Sequence, residues 1–91
     1  MLKTVIKQNA YQDSINLMLL TNKINTLDGV VQSQIMMGTD ANKDIYKAAG
    51  LLTDEAAAAS PSDMVIVVET EDEDVIDTVL AEAEAFLNDL S

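Results

Sequence analysis

The chain has 91 residues, with sixteen aspartates and glutamates against five lysines, no arginine and a net charge of −11. That balance lacks the positive field that nucleic acid or an anionic membrane surface requires, so neither is an expected partner. The absence of cysteine and histidine removes disulfides, thiol nucleophiles, imidazole bases and the common zinc sites together.

A chain of this length forms one domain and buries about 60 to 65% of its unfolded surface, enough for a modest core. Its 48% hydrophobic content supports folding despite the charge. Tyr11, Tyr46 and Phe86 are the only aromatics, so the core is expected to be aliphatic, with Met18, Met36, Met37 and Met64 as filler. No apolar run approaches the roughly 20 residues of a membrane span, and Met1-Leu2-Lys3-Thr4-Val5 runs straight into alternating sequence instead of a signal peptide, so a cytoplasmic location is expected.

Residues 2 to 8 alternate, Leu2, Thr4 and Ile6 opposing Lys3, Val5 and Lys7, which predicts a strand with one face packed and one partly wet. From Asp13 or Ser14, either a plausible N-cap, the stripe Leu17, Leu20, Ile24 and Leu27 follows helical spacing until Asp28-Gly29. Val30 to Met37 reads as a second strand, Gln32 and Gln34 on one face and Val31, Ser33, Ile35 and Met37 on the other, at a sheet edge. Gly38 ends it. Thr39 or Asp40 then caps a short helix whose buried side is read as Ala41, Ile45, Ala48 and Ala49, closing at Gly50.

Residues 53 to 59 add a helical turn or two before Ser60-Pro61 forces a stop. Met64-Val65-Ile66-Val67-Val68 is apolar without alternation and predicts the central strand. Thr70 and Glu73 fit a capping box for a long last helix with an apolar face of Val75, Ile76, Val79, Leu80, Ala83, Phe86, Leu87 and Leu90. The order implies an α+β, two-layer ferredoxin-like sandwich of three strands with three or four helices, lacking a last strand; a three-layer Rossmann-like α/β unit is the alternative. Residues 1–91 are read as a single domain and, because the chain stops after an amphipathic helix, as the N-terminal fragment of a longer protein.

Two polar turns are the candidate site. Gly38-Thr39-Asp40-Ala41-Asn42-Lys43 has the glycine, helix start and lysine of an anion cradle, but Asn42 stands where a phosphate loop needs a second glycine and Asp40 adds negative charge. Gln12-Asp13-Ser14 follows the first strand. If the first two strands are parallel, as a crossover through the first helix requires, both turns face the same side. Gln12, Asp13, Ser14, Gly38, Thr39, Asn42 and Lys43 are therefore candidates for ligand binding or domain docking, with helix capping the simpler role for each. Ser14 has no histidine to activate it, so no catalytic residue is assigned. The acidic run Glu69 to Asp74 lacks the glycine and spacing of a calcium loop and suits the first turn of a helix, so no metal is assigned either.

Gln12-Asp13-Ser14 followed by Leu17-Met18, then Met36-Met37-Gly38-Thr39 with Asn42-Lys43, resembles the N-terminal domain of FdrA-type proteins, described as acyl-CoA synthetases related to the succinyl-CoA synthetase alpha subunit. The resemblance covers essentially the whole chain. It implies an accessory domain, non-catalytic alone, docked on downstream CoA-binding and ligase-like domains or subunits, with no cofactor here and CoA bound in the longer protein. In the succinyl-CoA synthetase relatives a phosphohistidine lies downstream, and some family members are associated with carbamoyl transfer in allantoin breakdown. The alternative is a stand-alone regulatory or interaction module that takes a small anion or a protein partner at the same edge, with a homo-oligomer as a further option.

Overall fold

The computed structural model describes residues 1–90. Its elements are β1 (Leu2–Lys7), α1 (Ser14–Asn25), β2 (Val30–Met37), α2 (Asp40–Ala48), α3 (Asp54–Ala58), β3 (Met64–Thr70) and α4 (Glu73–Asp89). The sheet order is β1-β3-β2, and β3 is antiparallel to both neighbours. This is a ferredoxin-like α+β arrangement, with the apolar run of residues 64 to 68 at its centre.

β1 and β2 thus run parallel with β3 between them, and Lys7 and Met37 both stand opposite Met64. The turns after both strands emerge at one end of the sheet.

Alternation on the strands divides the core in two, because successive side chains leave opposite faces. Ile35, Met37, Met64, Ile66 and Val68 pack with Leu17, Leu20, Ile24, Val79 and Ala83 under α1 and α4. Val65 and Val67 pack on the other face with Tyr46, Leu51, Ala56 and Ala59 from the α2–α3 segment. The helices therefore do not all stack on one side.

α2 buries a different residue from the one its pattern predicts. Tyr46 is fully buried, whereas Ile45 is half exposed and Ala41, Ala48 and Ala49 face outward. The Tyr46 hydroxyl accepts from the Met36 amide at 2.9 Å and donates to the Val65 carbonyl at 2.6 Å. Only a residue with a ring to bury and a hydroxyl to bond strand backbone meets both demands.

Other expectations also shift. Asp72 caps α4 by accepting from the Val75 amide, while the Thr70 hydroxyl donates to the Asp72 carbonyl, so Thr70 is not the N-cap. Val31 is exposed because the pairing slips between Val30 and Gln32, a bulge that turns it off the packed face. Met37 and Met64 fill the core, whereas Met18 lies on the surface. Gly38 is required by space: a Cβ there would meet the Ser60 carbonyl oxygen at 2.5 Å.

Candidate functional site

α1 is apolar on two faces. Leu17, Leu20 and Ile24 point to the core, yet Ile15, Met18 and Leu19 are 66, 62 and 53% exposed. Spacing of three and four residues places these three on one outward strip, and the exposed ring of Tyr11 precedes it in the chain.

Beside this strip lies a cleft of about 410 Å3 between α1 and β2. α1 lines it with Ser14, Leu17, Met18, Thr21, Asn22 and Asn25, β2 with residues 33 to 37, and α2 with Asn42. None of these side chains is charged, although the chain carries −11 overall. Between Ser14 and Thr39 only Lys23 and Asp28 bear charge. Ser33 donates to the Asn25 amide oxygen at 2.7 Å, and Asn42 donates from its side-chain nitrogen to the Met37 carbonyl at 2.9 Å. The cleft wall is therefore apolar side chains and neutral hydrogen-bonding groups, joined by an edge strand.

The structure separates the seven residues of the two polar turns. Ser14 and Asn42 both line the cleft, which brings one member of each turn together. The Asp13 carboxylate accepts from the Ile15 amide at 2.8 Å and caps α1. The Gln12 side-chain oxygen accepts from the Asp13 amide and the Asn16 side chain. Thr39 caps α2 through the Asn42 amide, and the Gly38 amide donates to the Asp63 carbonyl. Lys43 leans away, donating to the carbonyls of Ala57 and Ala59 at 2.9 and 2.6 Å, where it closes the C-terminal end of α3.

Among the described residues, two ionisable groups, Tyr46 and Asp63, have shifted behaviour. Burial pushes the Tyr46 phenol far above its ordinary value, against a smaller opposing effect of the Met36 amide. Asp63 is held below the usual carboxylate range, first by the Ser60 amide and then by the Asn9 amide, with Lys43 adding a weaker pull. Its two oxygens accept at 3.0 and 3.1 Å from those amides, tying the turn after β1 to the loop before β3. Asn9 holds a φ of +53° in that turn, which asparagine tolerates better than most side chains.

Sequence reasoning did not single out the strip Ile15, Met18 and Leu19. The signal was present as three large apolar residues on a helix whose other face already supplies a complete core stripe.

Comparison with known proteins identifies the domain type. The whole chain, residues 1–91, matches the family described as AllF, heavy metal-associated domain. The uncharacterized protein YahF of Escherichia coli strain K12 is 40% identical over 86 residues, which is 94% of this chain and 17% of that protein. No solved structure matches.

These matches overturn the FdrA resemblance: the family that spans the whole chain, both polar turns included, is a different one. The accessory role on an acyl-CoA synthetase, and the ligase and succinyl-CoA synthetase associations, fall with it. Physically, four of the residues that suggested it, Gln12, Asp13, Thr39 and Lys43, hold helix ends.

A heavy-metal site does not fit these residues. Soft metals take thiolate, imidazole or thioether ligands, and the first two are missing from the sequence. Of the thioethers, Met18, Met36 and Met37 border the cleft, but Met36 and Met37 are strand neighbours whose side chains leave opposite faces, Met36 against the Tyr46 cluster and Met37 under α1. No group of three or more acidic side chains is placed to hold a cation among the described residues.

Proposed function

The chain belongs to the AllF heavy metal-associated domain family, and from that membership without metal-binding chemistry we propose that it is a metal-independent protein-recognition domain working through its α1–β2 face. The observation that carries this reading is the uncharged cleft and its exposed strip of Ile15, Met18 and Leu19 in a chain of net charge −11. Interface centres are poor in charge and rich in methionine and aromatics, with polar groups at the rim, and this face has that composition. Its mix of apolar and neutral polar groups suits a partner that comes and goes.

The chain spans 17% of the length of its YahF relative, which supports a recognition domain carried within a longer polypeptide. Among the described residues no helix is long and apolar enough to cross a membrane. With a cysteine-free sequence, we infer that the domain works in the cytoplasm.

A photoreactive amino acid at Met18, and separately at exposed Asp77 on α4, tests the reading in cells. Crosslinks from position 18 that disappear when Ile15→Asp and Leu19→Asp are added, with none from position 77, are expected. Equal crosslinking from both positions, or stoichiometric binding of zinc or copper(I) by the purified domain, would overturn it.

A further inference from the structure

The cleft between α1 and β2 is polar at its two ends and apolar between them. Asn25 and Ser33 meet at one end. Asn42 and Met37 meet at the other, where α1 begins with Ser14, about three turns before Asn25. From Ser33 to Met37 the extended strand runs about 13 Å. Leu17 and Ile35, both buried, floor the middle, while Met18, Asn22 and Asn25 stand exposed along the rim. Solvent reaches the cleft past these exposed side chains, and the site needs no free main chain on β2. Its volume of about 410 Å3 is that of a small-molecule pocket.

The two ends offer opposite hydrogen-bonding groups. The bond from Ser33 fixes the direction of the Asn25 amide: its oxygen accepts, so its nitrogen keeps two N–H donors, which no bond engages among the described residues. Asn42 is turned the other way. Its nitrogen donates to the Met37 carbonyl, which leaves the side-chain oxygen as an acceptor, again without a partner among the described residues. The Thr21 hydroxyl hydrogen is held by the Leu17 carbonyl at 2.8 Å, so the middle of the cleft offers no competing donor there.

We propose that this cleft is a binding site for a small, neutral, elongated molecule: an apolar body with a carbonyl oxygen at one end and an N–H or O–H donor at the other. The carbonyl accepts from the Asn25 nitrogen, the far donor is taken by the Asn42 oxygen, and the body lies over Ile35 against Met18. Charge on the ligand is selected against. A carboxylate approaches a chain of net charge −11 and meets no cation in the lining, and an ammonium group meets no carboxylate there. The site adds a ligand to the recognition face and does not depend on what docks on the strip of Ile15, Met18 and Leu19.

Three probes of matched length test this by NMR titration of the whole chain: hexanediamide, with a primary amide at each end; hexanamide, with an amide at one end only; and hexanedioate, with a carboxylate at each end. Hexanediamide should shift the side-chain amide signals of Asn25 and Asn42 and the methyl signals of Met18 and Ile35. It should bind about tenfold more tightly than hexanamide, which leaves one end unpaired, and hexanedioate should leave these signals in place. Asn25→Asp keeps an oxygen for Ser33 and removes only the free N–H donors, so the variant should stay folded while its affinity for hexanediamide falls about tenfold. No shift with hexanediamide up to its solubility limit, an equal response to hexanamide or hexanedioate, or full affinity in Asn25→Asp would overturn the proposal. Crosslinking from position 18 reads the strip separately, so failure of the ligand site leaves the recognition reading standing.

Discussion

The hydroxyl of Tyr46 donates to the main-chain carbonyl of Val65 at 2.6 Å while accepting from the Met36 amide, and Met36 and Val65 are partners in the sheet register. A side chain from α2 thus enters the ladder between β2 and β3, fixing the edge strand from below.

Tyr46→Phe keeps the ring and removes this bridge, leaving a buried amide and carbonyl short of a partner. The expected cost is about 1 to 3 kcal/mol in urea unfolding, with the helical content of the native state unchanged. The pH response gives a second reading. Because the folded-state phenol titrates above its ordinary value, the unfolded chain loses the proton first as pH rises. Tyr46 therefore withdraws stability above about pH 10, and the phenylalanine variant should show a correspondingly flatter alkaline limb.

Asp63 predicts the opposite limb. Its folded carboxyl titrates below the ordinary value of 3.8, so its contribution is present above that pH and is lost as pH falls through the folded value. Asp63→Asn should lower stability at pH 7 and flatten the loss on acidification, followed by urea midpoints between pH 7 and pH 2.

Gly38→Ala forces a Cβ against the Ser60 carbonyl, a backbone atom without a flexible end to yield. Destabilisation of about 1 to 3 kcal/mol is expected, by thermal unfolding. Gly50→Ala, at a φ of +74° with open space around it, should cost only about 1 to 2 kcal/mol from its backbone conformation.

Lys43→Met removes the cation that closes α3. A loss of about 0.5 to 1 kcal/mol is expected, read by urea unfolding, with crosslinking from position 18 unchanged. Loss of that crosslink in a stable variant would return Lys43 to the recognition face.

Much of the architecture was legible in local sequence. An unbroken apolar run marked β3, Asp13, Thr39 and Gly50 marked helix boundaries, and the long stripe of Ile76, Val79 and Ala83 marked α4, whereas α1 stops at Asn25, short of the Asp28-Gly29 end its stripe predicts. What escaped depended on distant backbone. Tyr46 looked less apolar than Ile45 until its hydroxyl met β2 and β3, and Lys43 looked like a ligand group until α3 folded back onto it. The exposed strip on α1 escaped because apolar residues are first assigned to a core, and only the packing of Leu17, Leu20 and Ile24 reveals that Ile15, Met18 and Leu19 are surplus to it. Of the two polar turns, Ser14 and Asn42 reach the cleft, while their neighbours are held by local hydrogen bonds that sequence cannot distinguish from ligand contacts.

The recognition face is tested most directly by Ile15→Asp combined with Leu19→Asp, measured for urea stability and for crosslinking from position 18. Because both side chains are exposed, stability should change by no more than about 0.5 kcal/mol per substitution while the crosslink disappears. A folded variant that still crosslinks, or a fall in stability of several kcal/mol showing that the strip is packed, would contradict the account.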